Sequence, residues 1–278
     1  MADLLVPIDE APLAFLDVET TGLHPEFGDR VCEIAILRCQ GSEVVDVLQQ
    51  LVNPQRHMGA GAWAVHGLSD DMLADAPPFC QIAASVLALL EGTILVGHNT
   101  VFDLRFLAAE LGRVGLPVRP LVTLDTLRLA RYCYHLPSYA LARVASVLGV
   151  EVVGQTHRAM HDVLLTRGVF ARLVDELYPL GIRSVDDYVR AQGGQIACVP
   201  APVYDVPPLI EQALQDNVPL RLRYISEQGQ ETVRMVRAIG ISLRGGSMSL
   251  VAHCYLRDAL RHFRVDRIAE MELVQELG

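Results

Sequence analysis

The stretch Leu13-Ala14-Phe15-Leu16-Asp17-Val18-Glu19-Thr20-Thr21-Gly22 limits what this chain can fold into more than any other. An apolar run delivers two carboxylates and stops at a Thr-Thr-Gly turn. Residues i and i+2 of a strand share a face, so Asp17 and Glu19 project together, with Val18 packed behind them. Like charges so placed repel each other unless a cation sits between them. The pair therefore reads as a solvated strand end or as half of a metal site, and the strand alone leaves both open.

With 278 residues, 51% of them hydrophobic and 20% charged, the chain has the profile of a soluble globular protein. It has room for one large domain and a small one, or for two of medium size. No apolar run approaches the roughly 18 to 20 residues that cross a bilayer, and no membrane partner is expected. The N-terminus has acids and no basic segment, so no secretory signal is expected. Cys32, Cys39, Cys80, Cys133, Cys198 and Cys254 show no C-x-x-C spacing. That argues against a disulfide framework or a zinc site and for a reducing, cytoplasmic setting.

Charge is unevenly divided. Residues 1–200 hold 14 Arg against 23 acids, whereas residues 201–278 hold 9 Arg against 10. All nine of those arginines fall within residues 221–267, beside only 4 acids. There is no lysine, so every basic side chain is a guanidinium, suited to bidentate phosphate recognition. Genome composition would produce the same bias.

Taken in order, Val31–Arg38 and Glu43–Val52 read as further strands after the first, an antiparallel meander opening a mixed sheet. Ser69 caps a short helix. His66 in Val65-His66-Gly67 either closes a turn or lines a groove, and the residues alone favour the turn. A helix over Phe79–Leu90 leads to a strand, Thr93–Gly97, and then to His98-Asn99-Thr100-Val101-Phe102-Asp103. Leu104, Leu107, Ala108 and Leu111 follow at helical spacing, which places Asp103 in a first turn. There a carboxylate is favoured by the helix dipole whatever its function. Leu121–Leu124 is a short strand, Asp125 opens a helix towards Tyr134, and Pro137-Ser138 starts another. A last helix, about Ala159–Leu177, has His157 just before it and Asp162 inside it. Alternation of this kind indicates an α/β domain. Periodicity fades from Leu180 to Ala201, around Gly193-Gly194 and Pro200-Ala201-Pro202, which reads as a linker. Beyond a helix at Pro208–Asp216, strands are expected at Leu220–Ile225, Glu231–Ile239, Met248–His253 and Phe263–Ile268. Gly229 and Gly245-Gly246 mark the turns between them.

Asp17 with Glu19, Asp103 and Asp162 each fall at a strand end or in a helix's first turn, where open α/β sheets place their sites. Four hard oxygen donors suit two Mg²⁺ or Mn²⁺ ions. One ion would activate a water and the other would stabilise a leaving oxygen. His157 is a candidate proton acceptor because imidazole titrates near neutrality. These residues also carry a resemblance. Asp17-x-Glu19-Thr20-Thr21-Gly22, His98-Asn99-x-x-Phe102-Asp103 and His157-x-x-x-x-Asp162 resemble the three motifs of the DEDDh 3′→5′ exonucleases, in order, over about residues 12–178. Arg158 stands where the tyrosine variant of that superfamily has Tyr.

The resemblance implies an RNase H-like mixed β-sheet flanked by helices, with Asp17, Glu19, Asp103 and Asp162 as metal ligands and His157 as general base. His161 is the rival base. Thr20, Thr21, Gly22 and His66 would line the terminal nucleotide, and the second motif would support the substrate site, Phe102 by packing in the core and His98 and Asn99 by hydrogen bonds that tie the motif to its neighbours. Residues 205–278 resemble a WYL domain, a small SH3-like β-barrel, through Leu222-Arg223-Tyr224, Thr232-Val233-Arg234 and Arg261-His262-Phe263-Arg264-Val265-Asp266-Arg267-Ile268. The name-giving Trp-Tyr-Leu is Met248-Ser249-Leu250 here, which removes two aromatic stacking surfaces. Arg223, Tyr224, Arg234, Arg237, Arg261, Arg264 and Arg267 would form its nucleic-acid face, unless they are an ordinary solvated surface.

The expectation is thus an exonuclease domain (1–179), a linker (180–204) and a WYL domain (205–278). The protein would hydrolyse single-stranded nucleic acid, DNA before RNA, to nucleoside 5′-monophosphates. The alternatives are an RNA exonuclease, or a nucleic-acid-sensing protein in which the WYL domain regulates the nuclease.

Overall fold

Alternate residues of the first strand enter two different cores, and this division organises the N-terminal unit. The computed structural model describes residues 4–117, 121–151, 157–197, 204–244 and 246–274. It separates into two units, Met1–Pro202 and Val203–Gly278. In β1 (Pro12–Thr20), Leu13 and Phe15 join one core, while Ala14, Leu16 and Val18 join the other. β2 (Val31–Gln40) and β3 (Glu43–Leu51) extend the sheet on one side with antiparallel pairing. β4 (Ile94–Gly97) and β5 (Val122–Asp125) extend it on the other with parallel pairing. The order β3-β2-β1-β4-β5 is the expected mixed sheet.

Helices cover both faces. α1 (Ala60–His66) and α2 (Asp70–Leu73) follow β3, and Ser69 caps α2 by accepting from the Met72 N–H. α3 (Phe79–Leu90) and α4 (Thr100–Arg113) pack on the Leu16 side. α5 (Thr126–Cys133), α6 (Leu141–Val147) and α7 (Ala159–Leu177) pack on the Phe15 side, where Phe170 meets Phe15 edge-on at 5.8 Å. α6 starts three residues later than Pro137-Ser138 suggested. Ser138 accepts from Ala140 N–H in a local turn, and the Tyr139 hydroxyl is occupied by Leu136 N–H and Tyr134 O.

The stretch expected as a linker from residue 180 instead carries α8 (Val185–Ala191), opened by a Ser184/Asp187 capping box. Val185 and Tyr188 are fully buried in the Phe15 core. Gln192 then completes the open edge of β5, accepting from Asp125 N–H and donating to the Thr123 carbonyl. A seven-residue helix is too short to register as a period, so its three inward side chains passed as irregular sequence. Pro200-Ala201-Pro202 lies outside the described residues, as does Gly245 of the expected turn.

In the second unit α9 (Pro208–Asp216) precedes β6 (Leu220–Ile225), β7 (Glu231–Arg244), β8 (Ser247–Cys254), β9 (Ala259–Arg264) and β10 (Ile268–Leu273). All pairs are antiparallel, in the order β10-β6-β7-β8-β9. The strand expected at Phe263–Ile268 is split by a 3-10 turn, Val265–Arg267, which Arg264 braces with a two-point bond to Asp266. That turn joins the two ends of the sheet order. Flat, those edges would lie about 19 Å apart, and a 3-10 turn advances only about 2 Å per residue. The sheet must therefore curl nearly shut, as an SH3-like barrel does.

Candidate active site

β1 pairs with β4 only from Leu13 to Phe15. β4 ends at Gly97, so Asp17 and Glu19 lie beyond its carboxyl end, where open α/β sheets place their sites. Asp17 and Glu19 stand on the face of β1 that looks towards α7, and Asp162 arrives there in the first turn of that helix. One oxygen from each of Asp17, Glu19 and Asp162 lies within 4.8 Å of the others. Asp103 comes from α4, on the opposite layer, and reaches round the strand. Its Oδ1 accepts from Val18 N–H at 3.2 Å, so it abuts the group without belonging to the three-oxygen set.

Electrostatics show what this cluster lacks. Burial pushes Asp17 well above the usual carboxylate range, and Asp103, Glu19 and Asp162 push it further. Burial and then Asp162 raise Glu19 to about 8. Asp103 is raised too, mainly by burial, despite the hydrogen bond from Val18. Among the described residues no arginine forms an ion pair with Asp17, Glu19 or Asp103. Clustered hard oxygen donors short of positive charge fit divalent cations such as Mg²⁺ or Mn²⁺, and the structure passes that test.

His157 precedes α7 in a left-handed backbone conformation (φ 57°), uncommon for a non-glycine residue. Its exposed ring lines a cleft of about 530 Å³ together with Asp17, Asp162, His98 and Asn99. The rival base, His161, is buried, and its Nδ1 lies 3.0 Å from Asp162 Oδ1. It orients that carboxylate.

The turn after Glu19 is fixed from inside. Thr20 Oγ1 donates to the Gly22 carbonyl, and Thr21 Oγ1 accepts from Arg30 N–H. A Cβ on Gly22 would strike the Asp29 carboxylate. His66 is buried behind this turn: its Nδ1 accepts from Leu68 N–H, which leaves Nε2–H to donate to the Thr20 carbonyl. Both nitrogens are spent, so the expectation that His66 lines the nucleotide gives way to the turn-closing role. Phe102 packs against Phe106 at 4.9 Å, at the margin of the core as expected. His98 is held between Thr126 Oγ1 and the Tyr139 carbonyl. Asn99 sits in a left-handed conformation (φ 65°), its N–H donated to Asp125.

Several supporting residues escaped the sequence reading. Glu33, across from Glu19 in the β1–β2 register, accepts a two-point bond from Arg158 (2.9 and 3.0 Å) and a third from Ala159 N–H. It thereby ties the His157 loop and the start of α7 to the sheet. An acid inside the apolar run Val31-Cys32-Glu33-Ile34 was the available signal, because a carboxylate is buried only when paired. Asp125, whose Oδ1 takes both Asn99 and Leu127 N–H, was read only as a helix start.

In the second unit half of the expected arginine face is neutralised. Arg223 pairs with Glu231 and Glu270, Arg264 with Asp266, and Arg267 with Glu227. Tyr224 meets Phe263 edge-on at 5.2 Å, packing against the barrel core. Arg234, Arg237 and Arg261 have no ion-pair partner among the described residues.

Comparison with known proteins decides the class. Residues 14–170 match the exonuclease (RNase_T) family model. The chain belongs to the exonuclease family. Residues 205–273 match the WYL domain. Relatives include a PolC-type DNA polymerase III of Caldanaerobacter subterraneus, 29% identical over 85% of this chain and 17% of that protein. Another is the 3′-5′ exonuclease DinG of Bacillus subtilis, 31% identical over 59% of this chain and 18% of that one. The exonuclease thus spans under a fifth of the length of these relatives. Among solved structures, exonuclease X in complex with 5′ overhanging duplex DNA is 25% identical (TM-score 0.50), over 65% of this chain and 99% of that one. An E. coli ExoI–ssDNA complex shares the fold at 20% identity (TM-score 0.56), over 87% of this chain and 54% of that one. No described helix is long and apolar enough to cross a membrane.

Proposed function

We propose that this exonuclease degrades single-stranded DNA from its 3′ end to nucleoside 5′-monophosphates, with the WYL domain holding the strand. The carrying observation is the trio Asp17, Glu19 and Asp162, three oxygens within 4.8 Å of one another and short of positive charge. The DNA preference draws on the DNA polymerases among the relatives and on the DNA-bound exonuclease X. Two divalent cations, held by these three residues and by the Asp103 carboxylate, would polarise the scissile phosphate and stabilise the leaving 3′ oxygen. His157 takes the proton of the attacking water, its ring directed into the cleft by the left-handed backbone and by the Arg158–Glu33 clamp beside it. His161 holds the Asp162 carboxylate in register. The Thr20–Gly22 turn receives the terminal nucleotide through its backbone, and Asn99 faces it across the crevice.

The test is digestion of matched 3′-labelled DNA and RNA oligomers with Mg²⁺ or Mn²⁺. His157→Ala is expected to lower kcat by about 10²- to 10⁴-fold, the usual worth of a general base. Asp17→Asn and a chelator should each remove the product. Product that persists in chelator, or full activity in His157→Ala, defeats the assignment, and faster digestion of RNA reverses the sugar preference.

A further inference from the structure

The cleft is lined by Asp17 and Asp162 and, on a second wall, by Arg131 and Tyr139, while the Thr20–Gly22 turn does not line it. Arg131 lies in the last turn of α5, and its guanidinium carbon is 5.2 Å from the Tyr139 ring centroid. The platform beneath it is rigid. Tyr139 Oη donates to the Tyr134 carbonyl at 2.7 Å and accepts from Leu136 N–H at 3.1 Å. The Tyr139 carbonyl lies 2.8 Å from His98 Nε2. A guanidinium stacked on a ring keeps its N–H edges free for an anion. Arg131 has no carboxylate partner among the described residues, unlike its neighbour Arg128, 3.9 Å from Asp125. Among the described residues it is the one arginine lining the cleft.

Resting on the proposed nuclease reading, we infer that Arg131, stacked on Tyr139, binds an internal phosphodiester of the substrate strand. This is a phosphate on the far side of the scissile one from the leaving nucleotide. The acids, with their cations, serve the scissile phosphate. A second phosphate in the same cleft needs a positive group of the protein's own. A pre-positioned guanidinium supplies one at low ordering cost.

The test compares Arg131→Gln and Arg131→Lys with Arg183→Gln in the full chain. Arg183 lies over the Tyr178 ring at 4.5 Å and does not line the cleft, so it controls for loss of a cation–π contact. Two substrates are used: a thymidine oligomer, and the p-nitrophenyl ester of thymidine 5′-monophosphate, which contains only the scissile phosphate. In Arg131→Gln, KM for the oligomer should rise about tenfold with kcat within about twofold. The dependence of log KM on log salt should flatten by about 0.7, one phosphate contact to a single strand. Ester hydrolysis should be unchanged, and Arg131→Lys should restore the salt dependence. Unchanged KM and salt dependence in Arg131→Gln, the same losses in Arg183→Gln, or impaired ester hydrolysis overturns this inference alone. A wild-type protein inactive on both substrates overturns the nuclease reading and this inference with it.

Discussion

The acids of the exonuclease site and the arginines of the WYL barrel are opposite answers to one problem. Asp17, Glu19 and Asp103 are crowded and at least half-buried without a guanidinium between them, and their proton affinities rise accordingly. Arg223, Arg264 and Arg267 each sit on a carboxylate of their own domain. The first set has no cation of the chain's own and leaves room for one from outside it, whereas these three of the six expected barrel arginines have spent their charge internally. Counts of Asp, Glu and Arg along the sequence see neither fact. Pairing, and not net charge, marks where a ligand is wanted.

Between these extremes lies Glu33, buried like the site acids but fully paired. It offers the largest way to test the contrast. Glu33→Ala strands Arg158 beside the sheet and frees the first N–H of α7. Because the guanidinium left behind is partly exposed and can be solvated, the loss should be about 1 to 3 kcal/mol, the cost of leaving hydrogen-bonding groups without a partner, read as a fall in the urea midpoint at constant slope. Asp17→Asn, which relieves repulsion, should by contrast stabilise the metal-free protein. If both substitutions destabilise alike, the distinction between spent and unspent acids fails.

A smaller effect should appear with pH. Folded Glu19 keeps its proton up to about 8, against 4.5 for the free side chain. Between those values the folded state binds more protons than the unfolded one, so stability falls as pH rises. Asp17 and Asp103, also raised, act in the same direction. In chelator, Tm should drop from pH 5 to pH 8, and the drop should shrink in Glu19→Gln. Mg²⁺ should raise Tm more at pH 8 than at pH 5, because the cation replaces the proton. A Glu19→Gln profile parallel to wild type would show that the cluster does not govern the dependence.

What the sequence disclosed follows the range of the interactions. The i, i+2 geometry of Asp17 and Glu19, the helical spacing that put Asp103 in a first turn, and the His157–Asp162 interval are all local, and each is found as read. Glu33 with Arg158 joins residues 125 positions apart, and Gln192 finishes the edge of β5 from 69 positions away. Neither leaves a period to detect. For His66 the residues alone favoured the turn it closes, and only the family resemblance pointed to the nucleotide. Its placement beside the active-site turn was legible, but the exhaustion of both ring nitrogens on Leu68 and Thr20 is a tertiary fact. In the barrel, one expected strand hid two, because the Arg264–Asp266 bond that folds the 3-10 turn falls within an otherwise strand-like run.

The smallest expected effect separates the two arginine sets of the WYL barrel. Exposed ion pairs contribute only about 0 to 1 kcal/mol each, so changing Arg223, Arg264 and Arg267 together to Gln should barely move Tm. Their charge is already matched, so they should also take little part in holding a strand. Arg234, Arg237 and Arg261, unpaired among the described residues, have charge to give. Changing these three to Gln should flatten the salt dependence of single-stranded DNA binding by up to about 2, at roughly 0.7 per phosphate contact. Fluorescence anisotropy of a labelled oligomer over a salt series, on the full chain in chelator, measures it. If the paired set flattens the dependence as much as the unpaired set, the internal carboxylates yield to phosphate. The barrel's arginines would then be as available as a simple count suggests.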